Sequence, residues 1–467
     1  MRSKRLERAM AALGMALLGA CANSGGGQAA ADAAPRPGEV DEAVEIVRAA
    51  ALPLTGAETD YDSLIAQVGD ARFVLLGEAT HGTHEFYRER ARITQRLIRD
   101  KGFTAVAIEG EWPDAMRVDR FIHGEPGAAT PEQALAGFVS GFPEWMWANA
   151  DIRDLAAWLR THNQSHPADQ RVSFYGLDVY SFYESADSVV SFLSRTDPAA
   201  AARARQRYAC FSRHRPNPQE YGMAATSAGR PLCREQAVAQ AVEMEERYRA
   251  HPHTGADTRA DDELFSAMQH ARVVRNAEEY YRVMFEGGPT SWNQRDRHMA
   301  QTLESIIIHL EAQGKTPKVV VWAHNTHSGD ARMTEMGSGG ELNVGQLMRQ
   351  AYAERSFLVG FTTYAGTVLA AEEWDAPGRL RRLNPALPES YSGLFHRAGL
   401  PAFLLTFRGR EELSRVLGEP RLERAVGVIY APRTERQSHY FNAVMSKQFD
   451  AVIHVDSTTA VTPLRIR

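Results

Sequence analysis

Only three cysteines occur in 467 residues, at positions 21, 210 and 233, too few for a disulfide scaffold. No apolar run approaches the roughly 20 residues that cross a bilayer as a permanent helix. The 53 basic and 58 acidic residues leave a formal charge of -5, so the composition carries no basic footprint for nucleic acid. An H-E-x-x-H motif is absent. So is a G-x-S-x-G elbow, because "MGSGGEL" at 336–342 neither fits the spacing nor follows a strand. What is present, 44% hydrophobic and 24% charged residues, is ordinary for a globular protein. The length exceeds one typical core, which implies one large α/β domain with an insertion, or two domains.

The first 40 residues differ from the rest. "MRSKRLERAM" carries four basic residues and one acidic, and "AALGMALLGAC" is a short apolar run ending in small residues and Cys21. That order reads as a secretory signal over 1–20. It resembles a bacterial lipoprotein signal, with Cys21 as the lipidated first residue and a lipid anchor in the cell envelope. Removal of the leader takes the net charge from -5 to -8. Residues 21–40 then form a flexible tether. In an oxidising compartment Cys210 and Cys233 are expected to pair, closing a loop worth about 3 kcal/mol in the chain-entropy model.

Four short apolar runs, "RFVLLG", "TAVAI", "RVSFYGL" and "KVVVWA", are flanked by helical stretches. Continuous apolar runs of this length predict buried strands of a mostly parallel central sheet flanked by helices. Glu78, Glu109, Asp178 and His324 stand at their carboxyl ends, the edge where open α/β sheets bind ligands. Between the third and fourth runs, residues 183–313 read as helices throughout. They form a large helical insertion covering the strand carboxyl edge, ending near Gly314. The α/β core occupies 41–182 and 314–467, and later runs such as "SFLVGFTTY", "AFLLTF", "AVGVIYAP" and "DAVIHV" add strands to it.

"LLGEATHGTHEFYRER" at 75–90 concentrates the chemistry. The helix it opens has Phe86, Ile93 and Leu97 on one face, and Arg90 falls on that stripe. A guanidinium facing inward requires a carboxylate, from Glu78 or Glu109. His81 and His84 share a His-x-x-His spacing with His324 and His327. Two readings stay open: ligation of a metal by imidazole and carboxylate, or metal-free acid–base chemistry in which an imidazole beside carboxylates deprotonates water. Trp112, Trp145, Trp147 and Trp292 either line a pocket for a bulky apolar ligand or pack a core.

"LLGEATHGTHEFYRER", "AIEGEWPDA", "FYGLDVYS", "NQRDRHMAQTL", "WAHNTHSGD" and "HYFNAVMSKQFDAVIHVDST" occur in this order from about residue 70 onward, and together they resemble the erythromycin esterase family. The resemblance implies an α/β core with helical additions and hydrolysis of macrolide lactones by activated water, without a covalent intermediate; no cofactor is expected, and a metal stays open. It implies His81 as general base, Glu78 and His324 as its partners in activating water, and Arg90 and Glu109 as supporting residues. His327 is implied as a nearby histidine, whereas Asp178 and His84 are added only by position. The expected partner is a small ester or lactone. The competing expectation is an envelope lipoprotein that binds haem or iron through the two His-x-x-His pairs.

Overall fold

The computed structural model describes residues 37–228, 232–252 and 258–465. The leader, most of the tether and Cys21 lie outside them. The chain divides into two compact units. Among the described residues the strands, in chain order, are β1 (Leu52–Pro53), β2 (Phe73–Leu76), β3 (Ala105–Glu111), β4 (Ser173–Asp178), β5 (Val319–Trp322) and β6 (Ser356–Ala370). They continue with β7 (Arg379–Leu383), β8 (Ala402–Thr406), β9 (Arg421–Arg424), β10 (Tyr440–Ala443) and β11 (Ala451–Thr458).

The first unit comprises the described parts of 37–103, 131–159 and 319–465. Its sheet runs β1-β8-β11-β6-β2-β5. The four strands from β11 to β5 are parallel, and β8 and β1 continue the sheet in antiparallel fashion. β2 reads Phe-Val-Leu-Leu and β5 reads Val-Val-Val-Trp, and all eight residues are buried. Continuous apolar sequence is what a strand covered on both faces requires. Leu76 aligns with Trp322 on one side and Val359 on the other, so β2 and β5 end level. The residues that follow both strands therefore emerge side by side.

The helix His84–Lys101 follows β2. Phe86, Arg90, Ile93 and Leu97 have no solvent exposure, so Arg90 lies on the inward stripe as its spacing predicts. Gly102 ends the helix in the left-handed conformation (φ 67°), which favours glycine at this position.

The second unit comprises the described parts of 104–130 and 160–318. In it β3 and β4 pair in parallel, Ala105 opposite Ser173. The long helices Phe182–Thr196, Arg234–Ala250, Thr258–Val283 and Thr290–Ala312 separate β4 from β5. No strand interrupts this segment among the described residues. The last of these helices ends before Gly314 (φ 78°), as the sequence indicates. Cys210 and Cys233 are joined by a disulfide. Among the described residues no helix is long and apolar enough to cross a membrane.

Some strands depart from the sequence reading. "AVGVIYAP" is not a regular strand. Val426 bridges to Thr80 and Ile429 to Ala371, so its backbone divides between two partners three residues apart. β7, "RLRRL", escaped the apolar pattern because Leu380 is 69% exposed and Arg379 and Arg382 also face solvent. It is fixed by antiparallel pairing to the far end of β6.

Candidate active site

In the first unit Glu78 and His324 each stand two residues beyond a strand. The Asn325 backbone N–H donates to the Glu78 carbonyl oxygen at 2.8 Å, tying the two strand exits together. The loop after Glu78 is equally constrained. The His81 N–H donates to the Val426 carbonyl at 3.2 Å, and Gly82 accepts from Leu369 and Val461. A Cβ at Gly82 would collide with the Leu369 carbonyl, so only glycine permits this approach of the loop to β6.

Glu78 is completely buried, and both carboxylate oxygens are engaged. Oε1 lies 2.8 Å from His81 Nδ1, and Oε2 accepts from Arg90 Nη2 at 2.6 Å. The Arg90 guanidinium sits 4.4 Å from the Tyr87 ring and 4.6 Å from the Trp322 ring. The rings and the carboxylate together compensate a cation removed from water. Of the two carboxylates considered for Arg90, Glu78 is therefore the partner.

Donor and acceptor roles follow from these contacts. A carboxylate only accepts, so His81 holds a proton on Nδ1, and Nε2 of the neutral ring carries a lone pair. The His81 carbonyl accepts from the Tyr87 hydroxyl at 2.9 Å. The His324 ring stands 4.9 Å away, centroid to centroid, inclined by 52°. His324 caps the short helix Asn325–Ser328, its Nδ1 accepting from the Thr326 backbone N–H at 3.3 Å and lying 2.9 Å from the Thr326 hydroxyl. A backbone N–H only donates, so neutral His324 carries its proton on Nε2. The pair thus presents one basic nitrogen and one N–H donor. His327 is buried on the same short helix.

His84, by contrast, is occupied elsewhere. Its Nδ1 lies 2.8 Å from Asp151 Oδ1, and the hydrogen bond to Asp151, opposed by partial burial, raises its pKa. Among the described residues no group of three or more His, Cys, Asp or Glu side chains is arranged to hold a metal ion.

The second unit holds another charged cluster. Arg295 Nη2 lies 2.8 Å from Glu109 Oε1 and 2.6 Å from Asp178 Oδ2, and its Nε donates to Asp178 Oδ1 at 2.8 Å. Glu109 does not follow its strand as expected. A register shift between Ile108 and Glu111 carries β3 two residues further, leaving Glu109 within the strand, while Asp178 closes β4. Burial, reinforced by Asp178, pushes the Glu111 carboxyl well above its ordinary range. Burial also lowers His298 to about 4, which keeps that ring neutral.

Sequence reasoning missed Arg295 and Glu111, although both lie within quoted motifs. Trp112, Trp145 and Trp147 are at most 4% exposed and pack as core. Trp112 stacks on Tyr175, and Trp147 meets Tyr87 edge-on. Trp292 is half-buried.

A mostly parallel α/β scaffold with a carboxylate-braced histidine beside a second histidine has the character of an acid–base enzyme. Residues 98–458 match the erythromycin esterase family model. The chain belongs to the erythromycin esterase family, and membership places it among enzymes of the esterase type. It is 23% identical over 425 residues to an erythromycin esterase type II of Escherichia coli, covering 86% of this chain and 93% of that protein. A putative hydrolase, YbfO, of Bacillus subtilis (strain 168) is 20% identical over 409 residues, covering 83% and 84% of the two chains. Among solved structures, a Bacillus cereus protein superimposes with a TM-score of 0.73 at 19% identity, covering 92% of this chain and all of that one. A mutant of the erythromycin esterase EreC, in its open conformation, gives a TM-score of 0.59 at 15% identity, with 85% and 93% covered. These likenesses establish the fold. The matched segment begins at residue 98, so Glu78, His81 and Arg90 lie outside it.

Proposed function

We propose that this chain hydrolyses a carboxylic ester or lactone with water activated by His81, without a covalent intermediate. The observation that carries this reading is the 2.8 Å contact between His81 Nδ1 and Glu78. It leaves Nε2 as the proton acceptor and stabilises the imidazolium that forms when water is deprotonated. The Nε2–H of His324 supplies a donor for the developing oxyanion. Arg90, with no solvent exposure, acts through Glu78 rather than on substrate. His327 is a supporting residue in this proposal, and His84 is a structural one because Asp151 engages it; Glu109 and Asp178 belong to the cluster of the second unit. A macrolide-like lactone is the substrate class that the family relationship favours. Export and lipid attachment at Cys21 complete the proposal on the strength of the leader sequence, and would place the enzyme in the cell envelope.

The test is mass spectrometry of macrocyclic lactones and aryl esters incubated with the purified full-length chain and with a His81→Asn variant. Addition of one water by the native chain, absent in a folded variant, supports the assignment. An equal rate in both sinks it.

A further inference from the structure

Behind the histidine pair, the first unit contains a buried polar connection that the hydrolytic steps above do not use. Asn325 follows His324 directly and is fully buried. Its backbone N–H holds the Glu78 carbonyl. Its side-chain oxygen accepts from the Phe361 N–H at 3.2 Å, and its Nδ2 donates to the Phe361 carbonyl at 2.8 Å. The carboxamide thus replaces the strand partner that β6 loses where β2 ends. Nδ2 also donates to Glu423 Oε1, on β9, at 3.0 Å.

The chain makes room for this arrangement. A Cβ at Gly77 would occupy the place of the Asn325 side-chain oxygen, so the glycine before Glu78 and the amide after His324 fit each other. Burial pushes the Glu423 carboxyl up to about 7, against the opposing amides of Gln448 and Asn325. A carboxyl kept so far from water costs stability, and it persists here where it anchors Asn325.

We propose that Asn325 and Glu423 are positioning residues for the reaction, Glu423 anchoring the Asn325 amide so that His324 is held in register with Glu78 and His81. The catalytic consequence rests on the hydrolytic reading above, whereas the positioning itself does not.

The experiment pairs kinetics with imidazole nitrogen NMR of the histidine-labelled full chain, using Glu423→Met, Glu423→Gln and Asn325→Ala. Glu423→Met, which removes the acceptor, is expected to lower kcat for a 4-nitrophenyl ester about tenfold with KM unchanged, and to shift the His324 resonances. Glu423→Gln, which keeps a carbonyl for Asn325, is expected to recover most of both. Asn325→Ala should behave as Glu423→Met does, and Glu423→Met decides the matter if Asn325→Ala does not fold. Unchanged His324 resonances in folded Glu423→Met would overturn the proposal, as would a loss of kcat that Glu423→Gln fails to restore. If the native chain hydrolyses none of the esters, the hydrolytic reading fails while the NMR comparison still judges the positioning.

Discussion

Each unit pairs an arginine with buried carboxylate, yet the two clusters are balanced differently. Around Glu78, one carboxylate meets one guanidinium and one imidazole, and its acceptor capacity goes to orienting a histidine. Around Arg295, one guanidinium meets Glu109 and Asp178, and the adjacent Glu111 has its pKa raised by burial and by Asp178. Acid is in excess there, and a retained proton relieves it. The same residue types therefore build a base-orienting centre in one unit and a charge-clamped centre in the other. The deciding feature is a histidine hydrogen-bonded to the carboxylate itself, whereas His298 in the second unit meets the Asp178 backbone carbonyl.

Substitutions should separate the two clusters. The largest effect on turnover is expected at the histidine: His81→Asn should cost 10²- to 10⁴-fold in kcat, the usual range for a lost general base, with circular dichroism and Tm nearly unchanged. Glu78→Gln should follow closely in turnover and also lower stability, because an amide oxygen still accepts from His81 but leaves the fully buried Arg90 without its anion. Arg295→Met should instead act on stability, by about 3–5 kcal/mol, because it leaves Glu109 and Asp178 buried without their cation. Denaturant unfolding reads this directly, and a loss below about 1 kcal/mol would erase the distinction between the clusters. His84→Ala should cost no more than about 1 kcal/mol, as expected for a half-exposed pair with Asp151.

A pH dependence sharpens the contrast further. Glu111 and Glu423 both have folded pKa values raised above the ordinary 4.5. Each keeps a proton in the fold that the unfolded chain has released, so the folded state binds more protons and stability falls as pH rises. For Glu423 the window runs from about 4.5 to about 7, with a slope of up to about 1.4 kcal/mol per pH unit. Urea midpoints across that window should flatten in Glu423→Gln. An unchanged slope would contradict the placement of this buried acid.

Much of this was legible in the sequence because strands covered on both faces read as unbroken apolar runs. β2 and β5 illustrate it, and the strand-exit rule then pointed to Glu78 and His324. Arg90 was legible because helical spacing put a charge among Phe86, Ile93 and Leu97. Glu109 was misplaced by a register shift that apolar patterning does not encode. Glu423 gave no signal, since "RLER" is a polar run whose burial arises only when β9 pairs with β10 and meets Asn325. β7 was invisible for the opposite reason, being a strand defined by its partner and exposed to water.

The most direct test of the central claim is pre-steady-state hydrolysis of an aryl ester by the native chain, followed by rapid quench and intact mass analysis beside His81→Asn. Activation of water by His81 predicts a linear course with no initial burst, no acyl adduct on the protein, and loss of turnover in the variant. A stoichiometric burst with an acylated chain, or undiminished turnover in His81→Asn, would contradict it.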